Sequence, residues 1–166
     1  MAVNQSIIDE FKAELVSTKK MIAAITNDIL TFQPHEKSTT LKKLAIHIAD
    51  IYSWYDITIN HDELDFAKGN YKAPVCESAE DLFAYLEKSS DDALQVLLAA
   101  NDDELKENWT MRNGEQIYFT APKVGVVRTW CLNHLYHHRG QLTVYLRMLD
   151  VALPATYGTT ADLEGK

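Results

Sequence analysis

Apolar residues recur along this chain at steps of three, four and seven over four stretches, so helices are expected to carry the fold. Ile8, Phe11, Leu15, Ile22, Ile25 and Ile29 share one stripe and predict a long first helix. It should stop near Phe32-Gln33-Pro34, because proline disfavours helical backbone in the residue before it. Ser38, Thr39 and Thr40 are N-cap candidates for a second helix, with Leu41, Leu44, Ile48, Ile51 and Tyr55 on one face as far as about Asn60. The pattern fades over residues 61–75, where Gly69-Asn70 and Pro74 mark a loop. Ser78, with Asp81 three residues on, has the form of a capping box in which Asp stands for the usual Glu. It opens a third helix whose apolar positions are Leu82, Phe83, Leu86, Leu94, Leu97 and Leu98.

After a polar break at residues 101–107, the pattern changes. Asn113-Gly114 lies between two short runs of β-type residues within 109–119, which predicts a small hairpin closed by a type I′ turn with positive φ at both central residues. Pro122 suits the first turn of a fourth helix. Val127, Trp130, Cys131, His134, His138, Leu142, Tyr145 and Leu149 should line its inner face. The tail, residues 151–166 with Pro154, Gly158 and Gly165, reads as irregular and folded over one end. With no repeat or second domain in sight, residues 1–166 are expected to form one all-α domain, a four-helix bundle with a small β-hairpin before the last helix.

A chain of 166 residues can bury ~70% of its unfolded surface, enough for a sizeable core. Its net charge of −8 argues against nucleic acid, whose affinity rests on Lys and Arg meeting phosphates, and against an anionic membrane surface. No basic stretch followed by an apolar run opens the chain, and no apolar run approaches the ~20 residues of a membrane span. Cys76 and Cys131 show no metal spacing and read as a reduced pair. A cytoplasmic protein is the expectation.

The chemistry lies in the histidines. His134 and His138 are four residues apart, so both project from one face of the last helix and can reach one ion. With six histidines in the chain, such a pair arises by chance about one time in five, so spacing alone discriminates poorly. Buried without partners, each would cost ~1–3 kcal/mol; a shared metal removes that cost and calls for a third ligand. His47, inward on the second helix, is the candidate, although alone it reads more simply as a hydrogen-bonded core residue. His137 falls about 60° away from His134, on a neighbouring stripe with Gln141 and Val144, and ranks behind the other two. His35 and His61 sit beside loop signals and should be exposed. Asp50, one turn after His47, either orients a ligand or is a solvated helix residue, the simpler reading. Cys131 is expected to pack. No paired carboxylates or nucleophile motif stand out, so no catalytic residue is nominated.

Together, His47 in Leu44-Ala45-Ile46-His47-Ile48-Ala49-Asp50, His134 with His138-Arg139-Gly140-Gln141, and the tail Leu153-Pro154-Ala155-Thr156-Tyr157-Gly158 resemble the DinB-like (DinB/YfiT-like) superfamily of metalloenzymes over nearly the whole chain. The resemblance implies a bundle of up-down-down-up topology. It also implies a divalent metal, nickel or zinc, on His47, His134 and His138, and often a homodimer. It points to a small-molecule substrate, with a low-molecular-weight thiol as a possible co-substrate, since characterised relatives include thiol S-transferases and a thiol-dependent isomerase. The leading expectation is therefore a metal-dependent transferase or hydrolase. Arg139 and Gln141 are given surface or packing roles, and Tyr55 and Trp130 are candidate pocket walls, or more simply plain core, as aromatic residues at helical spacing usually are. The alternative is a non-enzymatic, metal-stabilised binding or stress-response module. A fourth protein ligand would favour that module, and an open coordination position the enzyme. A metal-free bundle is a third, weaker reading.

Overall fold

The computed structural model describes residues 3–69 and 71–163; the features read at Met1, Asn70 and Gly165 lie outside the described residues. Helix α1, Val3–Ala23, buries Ile7, Ile8, Phe11, Met21 and Ile22. It stops earlier than its apolar stripe suggested. The Ala24 and Ile25 amides close onto carbonyls three residues back (3.3 and 3.0 Å), and a single 3-10 turn follows at Asn27–Ile29. Thr26, Asn27 and Asp28, whose short polar side chains favour turns over helix interiors, account for the stop. Ile25 and Leu30 stay buried beyond it, which is why the stripe runs on past the helix.

Helix α2, Leu41–Asp50, is capped by Thr40, whose hydroxyl accepts the Lys43 amide at 3.3 Å. A 3-10 turn at Ile51–Ser53 joins it to α3, Trp54–Ile59, so the run reaches almost to Asn60 as the pattern predicted. Helix α4, Ala79–Ala99, opens with the expected capping box: the Asp81 amide donates to Ser78 Oγ at 3.0 Å and the Ser78 amide to Asp81 Oδ2 at 3.2 Å. Leu82, Leu86 and Leu97 are buried, but Leu98 is 52% exposed, because a residue next to a buried one on a helix is turned ~100° off the core face.

Residues 123–148 form the fourth helical run in three pieces: α5, Lys123–Val126; a π-helical stretch, Val127–Asn133; and α6, His134–Met148. The Thr129 hydroxyl donates to the Gly125 carbonyl at 2.8 Å, competing for the acceptor its own amide would use in an α-helix. Wider π turns shift the register, so a stripe counted at 3.6 residues does not carry unchanged across this stretch. Pro122 ends the preceding strand and stands at the cap of α5 rather than inside its first turn.

Strands β2, Asn108–Asn113, and β3, Gln116–Pro122, form the predicted hairpin. Its two-residue turn is Gly114-Glu115, and only Gly114 has positive φ (58°), which fits a type II′ turn with glycine first instead of type I′. A third strand, β1 (Glu63–Asp65), pairs parallel with β2 inside the segment read as loop. Three residues are too few to show an alternation. What fixes the strand is long-range: Asp65 accepts the Gly114 amide at 2.9 Å, and Arg112 faces Glu63 at 3.6 Å. The chain is thus mostly helical with a small sheet ordered β1-β2-β3.

Trp109, Met111 and Val126 form a second apolar cluster where the sheet meets the bundle, and the Trp109 indole donates to the Ile57 carbonyl at 3.0 Å. That bond pins the sheet beside α3, next to the histidines. The described part of the tail runs along the flank of the bundle, where the Tyr157 hydroxyl meets Glu14 of α1 (2.8 Å) and Arg139 of α6 (2.5 Å). No helix among the described residues is long and apolar enough to cross a membrane.

Candidate metal centre

Helix α2 supplies His47 and α6 supplies His134 and His138, one turn apart. The Nε2 atoms of His47 and His134 stand 3.3 Å apart and those of His134 and His138 2.7 Å apart, all three candidate ligand atoms lying within 4.8 Å of one another. In a tetrahedral site with metal–nitrogen bonds of ~2.0–2.1 Å, ligand nitrogens are separated by about 3.3 Å. In the tautomers that leave both Nε2 atoms bare, nitrogens as close as 2.7 Å repel each other, and a cation between them relieves this. The cluster therefore fits a metal ion.

One tautomer can be read directly. His138 Nδ1 lies 2.8 Å from Gln141 Oε1. An amide oxygen only accepts, so Nδ1 carries the proton and Nε2 keeps its lone pair for the cluster. The Gln141 amide nitrogen faces His137 Nε2 at 3.0 Å, and His137 stays exposed outside the cluster. Burial lowers the pKa of all three clustered imidazoles. His134 falls to about 4, with the neighbouring histidines adding to the effect of burial. For His47, burial and His138 act against a raising influence from Asp50; for His138, burial acts against the Gln141 hydrogen bond. At neutral pH the cluster is uncharged, the form that ligates.

Aromatic rings wall the cluster. Trp54 lies 5.5 Å from His47 and 5.1 Å from His134, ring centre to ring centre, and Trp130 lies 5.8 Å from His134. His47 and His134 form part of the lining of a pocket of about 440 Å³ between the bundle and the sheet. Trp130 lines it as expected. Tyr55 does not: it is buried with its ring 5.2 Å from that of Phe11.

One residue differs from its simpler sequence reading. Asp50 is not solvated but 3% exposed, accepting hydrogen bonds from Tyr71 (2.5 Å), Tyr85 (2.7 Å), Ser53 (3.2 Å) and Trp54 (3.4 Å). Arg139 is buried and ion-paired to Glu14, holding α6 to α1, and donates to Thr18 at 3.2 Å. Arg139 and Gln141 keep the packing and surface roles read for them: Arg139 packs, and Gln141 is exposed on the helix with its side chain hydrogen-bonded to His138. Beyond its place one turn after His47, nothing local marked Asp50. Cys131 packs as expected, its thiol pushed up to about 12 by burial, and both cysteines are free. His35 and His61 are exposed. Among the described residues, no fourth His, Cys, Asp or Glu joins the cluster.

The model of the DinB family matches residues 1–164. The uncharacterized protein YrdA of Bacillus subtilis (strain 168) is 26% identical over 156 residues, spanning 92% of this chain and 86% of its own length. A DinB-like protein of Bacillus subtilis, YjoA, superposes with a TM-score of 0.73 at 18% identity, over 91% of this chain and 97% of that one. A DinB-like protein of Bacillus cereus ATCC 10987 gives 0.70 at 23% identity, over 92% and 97%. YfiT of Bacillus subtilis, described as a probable metal-dependent hydrolase with an unusual four-helix bundle topology, gives 0.63 at 14% identity, over 90% and 89%.

Proposed function

The chain belongs to the DinB family, and from that premise we propose that it is a metal-dependent enzyme, a hydrolase or a transferase of the thiol S-transferase type. His47, His134 and His138 hold one divalent ion. The observation that carries this reading is the meeting of three Nε2 atoms from two helices beside a pocket, with no fourth protein ligand among the described residues. A closed structural site takes four protein ligands, whereas three leave a position for water or substrate. An ion held by these three residues would supply Lewis-acid chemistry at the remaining position.

The chain's own residues do the rest. Gln141 holds the His138 proton on Nδ1, and the rings of Trp54 and Trp130 keep bulk water from the faces of His47 and His134. Imidazole suits nickel and zinc alike, and these are the proposed metals. A small-molecule substrate, with a low-molecular-weight thiol as co-substrate in the transferase case, an up-down-down-up helix order, a homodimer and a cytoplasmic setting complete the proposal.

The test combines elemental analysis of the purified protein with assays of ester hydrolysis and of thiol addition to electrophiles. One ion per chain, lost in His47→Ala, His134→Ala and His138→Ala together with turnover, is the expected result. Stoichiometric metal with no turnover in any assay would favour the metal-stabilised binding module, and protein that takes up no metal would overturn the site.

A further inference from the structure

The pocket beside the histidines is built almost without polar groups. Its lining includes Trp54, Ile57, Leu64, Trp109, Met111 and Trp130 and, among the described residues, no Lys, Arg, Asp or Glu. The aromatic residues that carry a polar handle have mostly turned it away. The Trp54 indole N–H and the Tyr71 hydroxyl both donate to Asp50, and the Trp109 N–H donates to the Ile57 carbonyl. Asp50, buried behind this wall, is thereby bonded by two of the rings that line the pocket. Thr58, also in the lining, is 3% exposed. What remains for a ligand is ring surface, aliphatic surface and, at one end, the imidazoles of His47 and His134.

Such a wall selects by desolvation. A carboxylate or phosphate group seated against it, away from the histidine end, would lose its water and meet no counter-charge, at a cost of several kcal/mol. An uncharged aromatic or aliphatic group gains the free energy of apolar burial and ring contacts. The volume of about 440 Å³ falls within the ~300–1,000 Å³ of sites that take drug-sized ligands. We propose that the substrate group bound by this site is uncharged and apolar, on the scale of a two-ring aromatic, seated between the sheet and α3 with its reacting end at the histidines. This rests on the metal-dependent reading above for the reaction, but not for the binding.

The binding can therefore be measured with and without metal. N-phenyl-1-naphthylamine, an uncharged dye that fluoresces in apolar surroundings, is titrated into the full chain as purified and again after chelation. Saturable binding of one dye per chain is expected in both states; in the chelated protein the dye is displaced by naphthalene, and at least about tenfold less well by naphthalene-2-carboxylate. Leu64→Lys, which sets a charge on the lining, should weaken the dye about tenfold or more, while Leu64→Met should not. If Leu64→Lys does not fold, the competition on unaltered protein decides alone. Absence of dye binding, or displacement from the chelated protein by the carboxylate as effective as by naphthalene, overturns the proposal. Dye binding without metal uptake would leave it standing and sink the metal site, and metal uptake without dye binding would do the reverse.

Discussion

Gln141 accepts a hydrogen bond from His138 through Oε1 at 2.8 Å, one turn along the same helix. This contact decides which nitrogen of His138 faces the cluster. Without it the imidazole is free to carry its proton on Nε2, where a ligand needs a lone pair. Gln141→Ala should therefore weaken metal binding about 10–100-fold with the three histidines intact. Gln141→Glu, which keeps an acceptor in place, should restore most of it. Competition titration against a chromophoric chelator reads both, and an Ala variant with unaltered affinity would reduce Gln141 to a surface residue.

Stripping the metal should cost stability. An ion at ~100 times its dissociation constant contributes ~2.7 kcal/mol to the folded state. For a chain of this size each kcal/mol moves the melting midpoint by ~2–4 °C, so a strong chelator should lower it by ~5–11 °C. His138→Ala should start lower and respond little to chelator. If both proteins melted alike with and without chelator, the histidines would be ordinary core residues.

The Arg139–Glu14 pair predicts a separate loss. Both side chains are largely withdrawn from water, 4% and 13% exposed, so removing one partner strands the other. Glu14→Ala should destabilise the fold by ~3–5 kcal/mol, seen as a fall of ~6–20 °C in the melting midpoint. Metal stoichiometry should be retained, since Glu14 lies outside the cluster. A fall below ~2 °C would mean that the guanidinium finds enough other acceptors.

What the sequence disclosed follows from the range of the interactions involved. Capping at Thr40 and Ser78 and the His134–His138 pairing are written within one or two helical turns, and they stand in the structure as read. His47 lies 87 residues from His134; its inward place on the second helix made it a candidate third ligand, and the family motif strengthened the link. Asp50 looked like a surface residue because its partners Tyr71 and Tyr85 are 21 and 35 residues away. Strand β1 was missed for the same reason: its three residues draw their order from β2, more than forty positions on. The π-helical stretch escaped because counting at 3.6 residues per turn presumes the regularity that the Thr129 hydroxyl disturbs.

Proton linkage gives the last prediction, for protein freed of metal. Burial holds His134 at about 4, and lowers His47 and His138 as well, against an ordinary imidazole value of about 6.5. A folded-state pKa below the unfolded one means that, between the two, the unfolded chain binds protons that the folded chain does not. The stabilisation is fully present above pH ~6.5, is lost progressively as pH falls toward about 4, and changes no further below that for His134. Chelated protein should accordingly melt at steadily lower temperature from pH 7 to pH 4.5. His134→Phe, which removes the group with the deepest shift, should flatten the slope over that interval. With metal bound the fall should be steeper, because protons then also compete with the ion for the same three nitrogens. Differential scanning calorimetry in buffers of matched ionic strength separates the two states, and a melting midpoint independent of pH between 7 and 4.5 in the chelated protein would contradict the burial of these imidazoles.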